Sequence, residues 1–285
     1  MTAHRVKAMF HSTAMVQDYD RTVARMAELF GLRVLEYSEA DNPAIGRRGG
    51  MTWVGDGSIE LCEPTFEGAA PDRFVRRTGG GMQGVALWVD NFEATIKHLA
   101  AHDVAMPVTL GHFGFSSPRS TAGLQFEWSE STVDEDPRAG APEPAFVVTP
   151  QVDVTHHAFV GAVVDDPIAT AGAIADAFDV PVTFTAPEAD AGTPVAGLGL
   201  RDCTLALFAL DPDESEALWG RSHDRPRVSL LGLRVDDLAV ARAALLGASV
   251  ELVRETPDML VLRPETAGDL EVVVVADLLP GDPRL

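Results

Sequence analysis

The sequence predicts an α+β fold built from four βαβββ modules paired into two domains. Three observations predict it. First, one pattern occurs four times: a turn, a short apolar strand, a polar step and an amphipathic helix. It appears at residues 10–18, followed by Val23, Met26, Ala27 and Phe30, and at residues 79–91, followed by Phe92, Ile96 and Leu99. It returns at residues 157–166 with Ile168, Ala171 and Ala175, and at residues 228–237 with Leu238, Ala241 and Leu245. Apolar residues at that spacing mark one face of a helix. Second, the last valines of the four strands, Val16, Val89, Val164 and Val235, stand 73, 75 and 71 residues apart. A fixed period of that size is one supersecondary unit used repeatedly. Third, residues 134–144 change character to Pro, Ala and acid, which reads as a linker over the surface. The resulting division is 1–132 for the first domain, 133–152 for the linker and 153–285 for the second domain.

Each module follows the same order. In the first, residues 7–16 read as a strand and 19–30 as a helix, with Gly31 where a left-handed cap sits. Residues 34–37 form a second strand. Asn42-Pro43 and residues 46–50 read as turn material. Residues 51–54 and 58–62 are strand-like and are joined by Gly55-Asp56-Gly57, a strong hairpin signal. Residues 66–78 lead to the second module, which closes on Leu124-Gln125-Phe126-Glu127-Trp128. The third module runs over residues 154–210 and the fourth over 228–275. Pro280-Gly281-Asp282-Pro283 reads as a frayed tail.

Composition bounds the function. The chain has 285 residues, and 46% are hydrophobic, enough to fill real cores. No apolar run approaches the about 18 residues of a membrane span. Met1-Thr2-Ala3-His4-Arg5 leads into no apolar signal segment. Cys62 and Cys203 make no disulfide framework, so a reducing cytoplasm is expected. The 22 Lys and Arg stand against 43 Asp and Glu, a formal charge of −21. That excludes a basic face for nucleic acid and makes a polyanionic substrate unexpected, although a local pocket can oppose the global field. The expected partner is a small molecule, bound by a monomer or homodimer.

Particular residues sharpen this. His11-x-x-x-x-Val16-x-Asp18 opens the chain, and Ile59-Glu60-Leu61-Cys62-Glu63-Pro64 closes the first module. Gly79-Gly80-Gly81-Met82 precedes Val89-Asp90-Asn91, and Gly123-Leu124-Gln125-Phe126-Glu127 forms the last strand of the second. With the fourfold repeat, these stretches resemble the vicinal oxygen chelate superfamily, which includes glyoxalase I, methylmalonyl-CoA epimerase, extradiol dioxygenases and bleomycin-resistance proteins. The resemblance spans nearly the whole first domain and is mostly architectural in the second.

It implies that paired modules curl into an open barrel in which four inward side chains hold a divalent metal. The seats lie on the first and last strands of each module. Here they fall on His11, Glu60, the Gly84 position and Glu127. Gln83 enters the set only if a bulge turns it inward, because strict alternation points it to the other face. One imidazole and two carboxylates suit Zn, Mn, Fe, Ni or Co without choosing among them. Only one histidine occupies a seat, which disfavours extradiol ring cleavage. The epimerase branch also uses a second, non-ligand Glu as base. Alignment on Asn42-Pro43 puts that position near Gly49, which weakens literal epimerase activity. In the second domain the corresponding seats fall at Phe159, Ala206, Leu230 and Val272, none of them a ligand. A slipped register would offer His157 and Glu271 instead.

Each candidate has a plainer alternative. His11 alone would be a core histidine, and Glu60 or Glu127 alone a solvent-facing strand residue; their coincidence at repeat-equivalent ends raises them. His112, in a glycine-spaced loop, and Trp88, on the face of Gly84 and Ala86, are candidates for substrate contact. The alternatives are an exposed histidine and a barrel-filling indole. Trp53 and Cys62 read as core, and His98 and His102 as residues on the exposed side or end of a helix, without a role. Two function classes follow. One is a metal-dependent isomerase, epimerase or lyase, in which the metal polarises a carbonyl and Glu127 moves a proton. The other is a metal-free small-molecule binding or resistance protein.

Overall fold

The computed structural model describes residues 4–37, 45–134, 136–141 and 149–285. Asn42-Pro43 and part of the expected linker, Glu135 and residues 142–148, lie outside the described residues. Two eight-stranded sheets repeat one topology. The first contains β1 (Val6–Met15), β2 (Leu35–Tyr37), β3 (Arg47–Val54), β4 (Gly57–Pro64), β5 (Gly81–Val89), β6 (Val108–Leu110), β7 (Phe113–Phe115) and β8 (Gln125–Ser129). Its order is β2-β3-β4-β1-β5-β8-β7-β6. The second contains β9 (Val154–Val164), β10 (Val182–Thr185), β11 (Ala196–Gly199), β12 (Thr204–Ala209), β13 (Arg227–Val235), β14 (Leu252–Glu255), β15 (Met259–Leu262) and β16 (Glu271–Val275). Its order, β10-β11-β12-β9-β13-β16-β15-β14, is the same pattern again. Each sheet has an antiparallel centre, β1 on β5 and β9 on β13, flanked by parallel pairs. These are the two α+β domains of paired βαβββ modules that the repeat predicts.

The polar step of each module is a helix cap. Asp18 accepts from Arg21 N ahead of α1 (Tyr19–Phe30), and α2 (Ala70–Thr78) leads into the second module. Asn91 accepts from Ala94 N ahead of α3 (Phe92–Ala101), and Asp166 from Ala169 N ahead of α4 (Pro167–Phe178). After the short α5 (Ser215–Trp219), Asp237 accepts from Ala239 N and Val240 N ahead of α6 (Leu238–Gly247). Each cap satisfies a backbone donor that the first helical turn leaves without a partner. Among the described residues no helix is long and apolar enough to cross a membrane.

The largest core lies outside the cups and runs through both domains. Phe178 of α4 is its keystone, edge-on to Phe126 at 4.8 Å and to Trp128 at 4.6 Å. His98 belongs to this joint rather than to an exposed face, whereas His102 caps the helix end and packs on His98. His98 stacks on His4 at 4.3 Å, and His4 reaches the Phe178 carbonyl at 3.1 Å. The described part of the expected linker is not a loose surface strap. Asp136 is fully buried, and Arg138 donates to the Met9 and Phe10 carbonyls and to Asp202.

Two local details differ from the sequence reading. Strand β3 begins at Arg47, so residues 47–50 are strand and not turn. Gly49 serves close approach: a Cβ there would lie 2.3 Å from the Leu61 carbonyl oxygen. The β1–β5 register also slips between Thr13↔Gly84 and Ala14↔Met82, so Gln83 is the extra residue of a bulge.

Candidate active site in the first cup

Strand alternation fixes what points into the first cup. Thr13 of β1 stands opposite Glu60 of β4, and His11 opposite Ala86 of β5, which in turn stands opposite Glu127 of β8. The register makes Glu60 and Glu127 repeat-equivalent, because Thr13 and Ala86 are themselves 73 residues apart. His11, Glu60 and Glu127 all line one cavity of about 220 Å³, together with Arg47, Met51 and His112. All three are buried, at 2%, 4% and 8% exposure.

Arg47 is the group the sequence reading missed. Its Nη2 donates to Glu60 Oε1 at 2.8 Å, and both side chains are buried. Thr13 Oγ1 donates to the other oxygen, Glu60 Oε2, at 3.2 Å and lies 3.2 Å from His11 Nδ1. A hydroxyl has one proton, so this geometry assigns the Nδ1–H tautomer to His11, donating to Thr13, and leaves Nε2 as an acceptor. Burial pushes the His11 pKa down to about 4; the Arg47 and Arg138 charges act the same way, and Glu60 opposes them. At neutral pH His11 is therefore an uncharged acceptor beside an ion pair.

The remaining candidates surround this centre. His112 is exposed at the cavity mouth. Trp88 lies outside the cavity lining: it packs with Phe10, Met51 and Ala86, donates from Nε1 to the Glu130 carbonyl, and carries Lys7 Nζ 3.6 Å above its ring. Half-buried Trp53 joins the same cluster, and Cys62 is buried beside Met15 and Phe74. Gln83 does turn inward through its bulge, but it lines a second cavity at the opposite end of the cup.

The second cup is filled. Phe159, Ala206 and Leu230 join Phe208 and Trp219 in one apolar cluster. The Phe159 ring lies where a Cβ on Gly232 would meet it at 2.4 Å. Gly232 stands opposite Val273, as Ala86 stands opposite Glu127, so the fourth seat is Val273 and not Val272. Val272 points into the outer core. The slipped register does not occur either. Glu271 Oε1 lies 2.6 Å from His223 Nε2, with Arg221 and Arg227 each 3.9 Å from Oε2. Burial alone would raise the Glu271 pKa, but His223 and the two guanidiniums outweigh it and hold the carboxyl below its usual value. His157 is buried elsewhere, against Gly57.

Residues 10–115 match the model of the Glyoxalase/Bleomycin resistance protein/Dioxygenase superfamily. A mutant 4-hydroxymandelate synthase from Streptomyces coelicolor superposes on 97% of this chain and 95% of its own, with a TM-score of 0.70 at 13% identity. Residues 10–115 carry the pattern of that superfamily, and the whole chain shares the tandem fold of the synthase. A xylose isomerase-like TIM barrel/4-hydroxyphenylpyruvate dioxygenase fusion protein matches 96% of the chain at 11% identity and a TM-score of 0.59, with 50% of the fusion covered. Methylmalonyl-CoA epimerase from Mycobacterium tuberculosis covers 47% of this chain and 93% of its own, at 21% identity and a TM-score of 0.42. No curated protein matches the sequence.

The metal implied by the superfamily can be tested against these side chains. Three of the four seats carry donors, but Glu60 already accepts from the Arg47 guanidinium. The guanidinium charge repels a dication brought to the same carboxylate and so opposes the attraction of Glu60 and Glu127 for it. Among the described residues, no three His, Cys, Asp or Glu side chains are gathered closely enough to hold an ion. As arranged, the residues of the first cup do not fit a divalent metal.

Proposed function

We propose that the first cup binds a small carbonyl- or carboxyl-bearing metabolite without a metal, and that the filled second cup supports it. The observation that carries this reading is the buried Arg47–Glu60 pair, in which a positive group of the protein engages a carboxylate that the resemblance makes a metal ligand. A guanidinium offers fixed N–H donors to an oxygen of the ligand. His11 Nε2 and Glu127 offer acceptors to its hydroxyl or acidic hydrogen. A cavity of about 220 Å³ is small beside drug-sized sites of about 300–1,000 Å³ and suits a metabolite of few atoms.

A second reading is favoured by a different observation, the meeting of His11, Glu60 and Glu127 on one cavity. It is the metal-dependent isomerase, epimerase or lyase, with Glu127 transferring the proton. Ligand screening separates the two. A panel of short oxo-acids and hydroxy-acids is titrated against the full chain by thermal shift and calorimetry, with and without a chelator. The metal-free reading expects binding that survives chelator and is lost in Arg47→Met. Binding or turnover that appears only with added divalent metal supports the second reading and removes the first.

A further inference from the structure

The first cup contains a larger cavity that its small polar centre does not explain. About 500 Å³ in volume, it lies at the opposite end of the cup, and Arg47 lines both spaces and divides them. Its walls are apolar, with Met15, Phe74, Leu110 and Phe115 among them. Its charged lining is one-sided. Arg47, Arg73 and Arg77 face it, and among the described residues no Asp or Glu does. Across the whole chain acids outnumber bases by 43 to 22, so a lining whose described residues hold three guanidiniums and no carboxylate opposes the composition. Arg73 and Arg77 are exposed on α2. Arg76, on the same helix, is neutralised by Asp72 and Glu67, whereas Arg77 enters no ion pair among the described residues. The bulge also turns Gln83 into this space, beside Gln125. A concave apolar wall with a few convergent charged groups is the general form of a small-molecule site.

We propose that this cavity holds the body of the first cup's ligand: an elongated apolar molecule with an anionic head at Arg73 and Arg77 and an oxygen function reaching Arg47. The ligand class is an aliphatic or aryl carboxylic acid oxidised at its far end. This inference rests on the metal-free reading of the first cup. Asp72 and Asp224 lie close enough to interact with Arg73 and Arg77, but neither lines the cavity, and charges beyond about 10 Å are screened at ordinary salt.

The test titrates the full chain by calorimetry with three probes of equal chain length: decanoate, decanol and decyltrimethylammonium. Decanoate is expected to bind at least about tenfold more tightly than decanol, as one charge-assisted contact implies, and the cation not to bind. The exposed pair Arg73→Ala/Arg77→Ala should weaken decanoate about tenfold at an unchanged unfolding midpoint. Ser116→Trp, which fills the cavity, should abolish decanoate binding. Equal affinity for decanoate and decanol overturns the proposal, as does decanoate binding that ignores both arginines. Titration with 2-oxobutanoate in parallel reads the Arg47 centre separately. If the short acid binds and decanoate does not, this inference fails and the cup reading stands; if neither binds, both fail.

Discussion

His157 gives the most quantitative expectation of this fold. It is fully buried at the joint between domains, packed where a Cβ on Gly57 would meet its own Cβ at 2.4 Å. Neither ring nitrogen has a hydrogen-bond partner among the described residues. Burial, with the charges of Arg284 and Arg138 adding to it, pushes its pKa from 6.5 to about 3. A depressed folded pKa means that the unfolded chain binds the proton first. The contribution to stability is therefore complete above pH 6.5 and is lost as the pH falls from there through about 3. At pH 4 the unfolded imidazole is charged and the folded one is not. Some 2.5 pH units at about 1.36 kcal/mol each make this a loss of about 3 kcal/mol relative to pH 7.5. His157→Leu removes that proton uptake. Urea unfolding of parent and variant at pH 7.5, 5.5 and 4 should show the parent losing about 3 kcal/mol more than the variant across the range. Parallel pH dependence in the two proteins would refute a buried neutral His157.

Two further substitutions test the packing. Gly81→Ala places a Cβ 2.8 Å from Arg221 Nη1 at a φ of +105°, where Arg221 and Arg227 hold the Gly80 and Met82 carbonyls. It should cost about 1–3 kcal/mol in urea unfolding, and a change within about 0.5 kcal/mol would mean that this joint is not tight. Phe159→Ala empties the second cup and should cost about 3–5 kcal/mol, while first-cup ligand affinity stays unchanged. A change in that affinity would show that the second cup does more than support.

The repeat was legible because burial imposes it. Every module must bury one strand face and one helix face, and each helix entry needs a cap, so the same residue types recur at Asp18, Asn91, Asp166 and Asp237. His11, Glu60 and Glu127 could be brought together on paper because register follows from the repeat. Arg47 could not. It precedes Gly49 and Gly50, which look like turn residues, and their close strand approach depends on Leu61 and Cys62 at Gly49 and on Val34, Leu35 and Tyr19 at Gly50, none of them adjacent in sequence. The same limit applies to Arg138, whose partners Met9, Phe10 and Asp202 are supplied by tertiary contact alone. Val273 was missed by one position, because a one-residue difference in strand alignment moves a side chain to the other face. The bulge at Gln83 was foreseeable from its glycines; the cavity it would face was not.

The central claim is that Arg47 stands in place of a metal. The most direct measurement is calorimetric titration of Zn, Mn, Fe(II), Ni and Co into chelator-treated full chain, alongside Arg47→Met. The account predicts no stoichiometric site in the parent for any of the five ions. It also predicts measurable affinity in Arg47→Met, where Glu60 loses the guanidinium that competes with an ion. One equivalent of ion bound by the parent, and lost in His11→Ala or Glu127→Ala, would contradict it.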